Sequence, residues 1–255
     1  MFDLWFKHWR RRRLSRRQIP RQWPRWLEEG LWQFRLLNES QRRRLLQTVQ
    51  IFCHEKNFEG CQGLSVNDSM KVIIAGAASL LLLGFDDDYC FDRVRSILVY
   101  PGSMRLRNRE QPVGGIVTAD PWVSGVYAAG DTIVLSWEDA EWECADPGFR
   151  ANVIIHEFAH HVDDLDGALQ GDPPFATAKQ SRKWRRLIQD EMERLSDQIS
   201  VGASTVLRPY ALTNLAEFFA VACEAYFCDS HALAEEHPEL FAMLQTLFRF
   251  DTRLW

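Results

Sequence analysis

One short segment constrains this chain more than any other, an H-E-x-x-H motif within the apolar run at 153–162. If the run is helical, His156 and His160 lie one turn apart on one face, where both rings can bind a single metal ion. Glu157 follows the first histidine directly, so its carboxylate reaches a metal-bound water rather than the metal. Zinc acidifies such a water, which attacks a carbonyl as Glu157 takes its proton. The motif therefore predicts a hydrolytic zinc site, usually one that cleaves peptide bonds.

The flanking residues indicate that the motif lies on a buried helix. They are large and apolar, which favours burial. Two histidines in a protein core are costly unless they form hydrogen bonds or bind a metal. Asp146 suits an N-cap and Pro147 the first helical position, which predicts a helix from about 147 to 163. The alternative is an ordinary helix whose histidines only form hydrogen bonds. His161, which points about 100° away from His160, fits that description.

A catalytic zinc usually has three protein ligands, and three carboxylates compete for the third place. The first is Asp166, which occupies the position of the third histidine in the longer H-E-x-x-H-x-x-G-x-x-H motif. Asp163 stands where that arrangement needs a glycine for a sharp turn, which disfavours Asp166. Asp163 itself could orient a ligand histidine or simply end the helix.

The other two candidates lie in a second apolar segment, at 215–227. Glu217 and Glu224 are seven residues apart on one face of what reads as a buried helix. A buried carboxylate must be paired, protonated or bound to metal. Asn214 could cap the helix with Glu217 as its partner, but capping would leave Glu224 unexplained.

At this point the sequence resembles a known family. The motif at 156–160 and the segment at 210–221 are similar to the bacterial Mlc titration factor A family of zinc metallopeptidases and to the related catalytic domain of anthrax lethal factor. The resemblance extends from about residue 30 to 250 and is most specific around the two helices. Family members have a tyrosine seven residues before the glutamate ligand, a spacing that Tyr210 and Glu217 match.

The resemblance implies roles for individual residues. Glu217 would be the third ligand of one Zn²⁺ per chain. With Glu217 in that place, we expect Glu224 to accept a hydrogen bond from a ligand histidine. Tyr210 would be a catalytic phenol that stabilises the oxyanion. Without the resemblance, Tyr210 is better explained as a turn residue after Pro209.

The resemblance also implies a function beyond chemistry. It predicts a peptidase that hydrolyses peptide or protein substrates and that could act as an aminopeptidase. It also predicts binding of the transcriptional repressor Mlc and, through that binding, modulation of glucose phosphotransferase genes. The alternative from another class is a protein-binding regulator whose zinc site is structural or vestigial. A non-peptidase zinc hydrolase is compatible with the motif but has no feature in its favour.

The order of elements predicts an α+β fold, a mainly helical zincin-like (gluzincin) metallopeptidase with a small mixed sheet and N-terminal helices. Substrate peptides of such enzymes often lie antiparallel along an edge strand before the zinc helix, and Thr132–Ser136 is the strand expected there. Strand signals occupy 94–137. Helical patterns occupy 30–57, with a break near residue 40, and then 72–85, 178–200 and 238–250.

The composition predicts one domain, at 29–255, after a basic tail at 1–28. The chain has 255 residues, of which 46% are hydrophobic, enough for a substantial core. Residues 1–25 hold nine lysines and arginines against a single acid, although the whole chain carries a net charge of −5. We expect a solvated, partly disordered tail, with an anionic membrane surface as a weaker alternative and no direct nucleic-acid partner.

The cysteines bear on the compartment. All six are scattered, with no C-x-x-C pair, and no signal peptide is recognisable. This pattern favours reduced thiols in a cytoplasmic protein. The most apolar stretch, at 72–85, is too short to span a membrane and reads as a core helix.

Overall fold

The computed structural model describes residues 2–85, 89–102, 104–105, 122–123, 125–128, 131–166 and 170–255. Helices α1 to α10 span, in order, Phe2–Ser15, Gln22–Gly30, Glu39–Glu55, Asp68–Leu80, Trp137–Ala145, Val153–Asp163, Ala178–Ser200, Leu215–Cys228, Ser230–Glu236 and Pro238–Phe248. Strands β1 to β6 span Asn57–Gly60, Ser96–Tyr100, Met104–Arg105, Trp122–Val123, Gly125–Ala128 and Thr132–Ser136. Short 3₁₀ helices lie at Trp32–Arg35, Asp164–Asp166, Pro209–Thr213 and Thr252–Leu254. The mainly helical fold with a small sheet agrees with the prediction.

The main sheet is mixed and has the order β1-β2-β6-β5. Strands β1, β2 and β6 are parallel, whereas β5 runs antiparallel to β6, with Gly125 opposite Leu135 and Ala128 opposite Thr132. Strand β6 is therefore paired on both sides, and the prediction that it forms the substrate edge is wrong. The described edge next to it is β5. Much of the predicted strand region at 94–137, including 106–121, lies outside the described residues.

Helix α4 forms the centre of the N-terminal half and packs against α2, α3 and α6. Asn67 caps it by accepting a hydrogen bond from the backbone of Met70 at 3.0 Å. At Gly76 the neighbouring helix approaches so closely that an added Cβ would lie 2.4 Å from Leu27 Cδ2. The small residues predicted to favour close packing thus do so, although the helix ends at Leu80 rather than near residue 85.

The basic N-terminal segment differs from the solvated tail that the sequence predicts. It forms helix α1, which packs against α3. Arg11 is only 2% exposed and donates to Glu55 at 2.5 Å and to Asp92 at 2.6 Å. A guanidinium between two carboxylates is fully compatible with burial. These acids are distant in sequence, so no local pattern could reveal the pairing; the division at residue 28 stays a prediction.

Two further findings concern the chain as a whole. None of the helices in the described part is both long and apolar enough to cross a bilayer. All six cysteines lie among the described residues, and each is a free thiol.

Candidate metal centre

Helix α6 carries the H-E-x-x-H motif, and every one of its residues is buried. It begins at Val153, six residues later than the sequence predicts, with Asn152 as N-cap accepting from the backbone of Ile155 at 3.0 Å. Asp146 instead closes a turn by accepting from the Gly148 amide at 2.8 Å. Both residues are good caps, so local propensity could not choose between them.

Tertiary contacts account for the later start. The first amides of a helix lack partners within it and need acceptors from elsewhere. Here Glu143 accepts from the amide of Val153 at 2.6 Å, and Glu224 accepts from the amide of Asn152 at 2.8 Å. Two carboxylates from other helices thus hold the beginning of α6 in place.

Helix α8 supplies the third predicted ligand. Asn214 caps it, and its side chain accepts from the backbone amide of Glu217 at 2.9 Å. The cap uses only the amide, so the carboxylate of Glu217 remains available for other contacts. The capping interpretation and the ligand interpretation of Glu217 are therefore compatible.

The three predicted ligands converge where α6 and α8 pack together. Glu217 Oε2 lies 2.9 Å from His156 Nε2 and 3.5 Å from His160 Nε2. The two imidazole centroids are 5.0 Å apart at an interplanar angle of 85°. One donor atom from each residue lies within 4.8 Å of the others, and the described residues contain no second group of this kind. The side chain of Asp166 lies outside the described set.

Glu224 lies on the far side of His156 from Glu217. Its Oε1 is 2.7 Å from His156 Nδ1, so the histidine can donate there and present Nε2 towards Glu217. Arg208 also contacts Oε1 of Glu224. The sequence analysis missed Arg208, because the need of a buried carboxylate for a cation does not reveal which arginine supplies it.

Glu157 is 3% exposed, and its Oε2 has no hydrogen-bond partner among the described residues. Burial raises its pKa to about 8; His156 opposes this shift, and the charges of Glu217 and Glu224 add to it. A buried carboxylate with an unused acceptor atom is unusual in a purely structural role.

Tyr210 lies on the 3₁₀ helix Pro209–Thr213, where its ring is half exposed and 5.9 Å from that of His156. Burial of the hydroxyl and the nearby Glu217 carboxylate both raise its pKa. The phenol therefore stays protonated and can donate a hydrogen bond. Tyr210 is thus beside the converging ligands, although its position also has the turn character that the sequence suggested.

The C-terminal end of α6 is connected to α7 through hydrogen bonds to one glycine, Gly171. Asp163 Oδ2 accepts from the amide of Gly171 at 2.7 Å, so this carboxylate anchors the loop that follows the helix. The carbonyl of Gly171 accepts from Trp184 Nε1 at 2.6 Å, and its φ is +71°. His161 is also buried, which lowers its pKa to about 4, and it is not in the converging group.

The charges of the cluster suit a divalent cation. Glu157, Glu217 and Glu224 are three buried or half-buried carboxylates. Burial lowers the pKa of His156, but the hydrogen bonds to Glu217 and Glu224 outweigh it and raise the value to about 10. Two imidazole nitrogens and a carboxylate oxygen are a donor set that zinc favours. The residues present therefore fit the metal.

These features define a metallopeptidase-like protein, and comparison with known proteins agrees. The chain belongs to the glucose-regulated metallo-peptidase M90 family, whose model matches residues 6–249. Membership of a metallopeptidase family implies a bound metal. The match begins earlier than the resemblance seen in the sequence and includes most of helix α1.

Individual relatives cover most of the chain. It is 29% identical to Mlc titration factor A of Serratia proteamaculans over 218 residues, 84% of this chain and 82% of the relative. Mlc titration factor A of Pectobacterium atrosepticum is also 29% identical, over 84% of this chain and 81% of its own length. The Synechocystis protein slr2042 is 30% identical over 242 residues, 94% of this chain and 88% of its own. The family predicted from the sequence is confirmed.

Proposed function

We propose that this protein is a gluzincin-type peptidase that binds one Zn²⁺ through His156, His160 and Glu217. The observation that carries the proposal is the approach of one donor atom from each residue to within 4.8 Å of the others. The residues come from two separate helices, and core packing alone would not require two imidazoles and a carboxylate to meet there.

Zinc in this position would supply Lewis acidity to an attacking water and to a scissile carbonyl. The chain's own residues would handle the protons. Glu157, whose Oε2 has no partner among the described residues, would accept the proton of the water and pass it to the departing amine. The hydroxyl of Tyr210 would donate a hydrogen bond to the developing oxyanion.

Two further residues would hold a ligand in place. Glu224 accepts from His156 Nδ1, which fixes the tautomer with Nε2 free to bind metal. Burial raises the pKa of Glu224, but His156 and then Arg208 lower it further than burial raises it, so the carboxylate stays ionised. This chain of contacts supports His156 as a ligand whose ring is oriented by Glu224.

The test is metal content and hydrolysis of a peptide panel, measured together for wild type, Glu157→Gln and an exposed control, Glu193→Gln. We expect about one zinc per chain in all three. Hydrolysis should fall roughly 10²- to 10⁴-fold only in Glu157→Gln. Equal turnover in all three proteins would exclude Glu157 as the base, and absence of zinc in the wild type would remove the basis of the proposal. The panel also distinguishes aminopeptidase from endopeptidase cleavage.

A second function has a separate basis, the name of the relatives. The Serratia and Pectobacterium relatives are both called Mlc titration factor A. We propose that this chain binds an Mlc-like transcriptional repressor in the cytoplasm and so modulates glucose phosphotransferase genes. If zinc is only structural, repressor capture in a pull-down should be equal for wild type and Glu157→Gln, with no hydrolysis that depends on Glu157. If neither protein captures the repressor, the binding proposal fails.

A further inference from the structure

A basic groove lies along helix α7 and against the start of α10. It encloses about 620 Å³, and none of its lining residues belongs to the metal centre. Residues three and four positions apart share one face of a helix. Four exposed cations line the groove at this spacing and form a single stripe on α7: Lys179, Arg182, Lys183 and Arg186.

Most of this positive charge is not neutralised by the protein. In the part of the chain that the structure covers, Lys183 lies 3.5 Å from Glu239, while Lys179, Arg182 and Arg186 form no ion pair. Like charges at these spacings destabilise a helix slightly, so the stripe opposes local folding. It also contrasts with the net charge of −5 of the whole chain. The stripe is therefore available to an anionic partner.

The character of the groove changes beyond the stripe. Asp190 follows on α7 and is exposed, whereas Glu191 is buried against His237. Leu187 and Pro238 contribute apolar surface. The four cations span about 10 Å along the helix. On an extended peptide, carboxylates two to three positions apart are separated by a similar length, so they can face the stripe. A nucleic acid or an anionic membrane would bring further phosphates against the exposed Asp190, and the repulsion disfavours both.

We propose that this basic groove binds a short acidic segment of a partner protein. Aspartate or glutamate side chains of the segment pair with the stripe, and an apolar side chain packs against Leu187 and Pro238. The proposal concerns binding alone and does not depend on hydrolysis at the metal centre.

The experiment measures the binding of a fluorescein-labelled peptide by anisotropy at low and physiological salt. The probe has twelve residues, including four glutamates and one leucine, and its neutral counterpart has glutamines instead. Mass spectrometry after each titration checks that the probe is intact. Wild type is compared with two triple variants that change the charge equally. The groove variant combines Lys179→Glu, Arg182→Glu and Arg186→Glu. The control variant changes exposed N-terminal arginines and combines Arg16→Glu, Arg17→Glu and Arg21→Glu.

We expect wild type to bind the acidic but not the neutral peptide. The groove variant should weaken binding roughly tenfold or more, and the control variant should change it less than about twofold. Circular dichroism and zinc content should be unchanged, because the altered side chains are exposed and lie outside the metal centre. If the glutamate variant fails to fold, the three glutamine substitutions replace it.

Several outcomes would overturn the proposal. They are no binding by wild type, equal losses in both triple variants, or equal affinity for the neutral peptide. A single-stranded oligonucleotide or a phosphatidylserine vesicle that binds more tightly than the peptide, and loses affinity in the groove variant, would reassign the groove to that ligand. Each outcome can occur with peptidase activity intact, so it is distinguishable from failure of the proposed enzymatic function.

Discussion

Replacing Gly171 with alanine should disturb the metal centre from outside it. Gly171 has a φ of +71°, and an added Cβ would lie 2.3 Å from the carbonyl oxygen of Leu215, the first residue of α8. The same glycine binds Asp163 at the end of α6 and Trp184 on α7. A side chain here therefore pushes against the helix that carries Glu217.

The expected cost has two parts. A non-glycine residue at positive φ costs about 1–2 kcal/mol. Relief of the contact needs a shift of about 1 Å in a packed region, and overpacking of this kind costs about 1–3 kcal/mol. The free energy of unfolding should therefore fall by about 2–5 kcal/mol in Gly171→Ala. Zinc affinity should fall as well, because the shift moves the start of α8.

The chain contains a matched control. Gly202 has the same φ of +71°, but nothing lies within 4 Å of a Cβ added there. Gly202→Ala should therefore lose only the backbone part, about 1–2 kcal/mol, and keep its zinc affinity. Urea unfolding and competition with a zinc chelator measure both quantities. If the two variants lose equal stability and bind zinc equally, the contact with Leu215 does not position α8 and the reasoning is refuted.

Further predictions concern residues around the site and the N-terminal helix. Glu224→Gln and Arg208→Met should each weaken zinc binding about 10- to 100-fold in chelator competition, and unchanged affinity would exclude their role in orienting His156. Burial raises the pKa of Glu143 from 4.5 to about 7, which favours its neutral form in the folded state. The stability that Glu143 contributes is thus fully present below pH 4.5 and is lost as the pH rises to about 7. Between these pH values, the free energy of unfolding of wild type should fall by about 2 kcal/mol relative to that of Glu143→Gln, as measured by urea titration. Arg11→Met removes the buried cation between Glu55 and Asp92, which keep only the more exposed Arg10 and Lys7. It should lower the free energy of unfolding by about 2–4 kcal/mol, whereas the exposed control Arg13→Met should stay within about 0.5 kcal/mol.

Much of the candidate site was readable from the sequence because its information is local. The spacing of His156 and His160 places both rings on one helical face wherever that helix lies. The spacing of seven positions from Tyr210 to Glu217 indicates a turn followed by a helix, and the resemblance to a family assigned roles to these two residues. The apolar segments around both motifs predicted buried helices, and α6 and α8 are buried.

Other features depend on residues that meet only when the chain folds. The start of α6 moved to Asn152 because Glu143 and Glu224 supply acceptors there. Arg208 reaches Glu224 across 16 positions, and Arg11 reaches Asp92 across 81. Strand β6 lies inside the sheet because β5 pairs with its outer side. Strand propensity does not predict which strands will be neighbours.

The sequence by itself therefore determined which residues could bind a metal and on which helical faces they lie, since periodicity follows from the covalent chain. The tertiary structure alone decided that the two faces meet, which cation neutralises Glu224 and which strand forms the edge. Those outcomes depend on contacts between distant residues, and packing and charge pairing select them only in the folded chain.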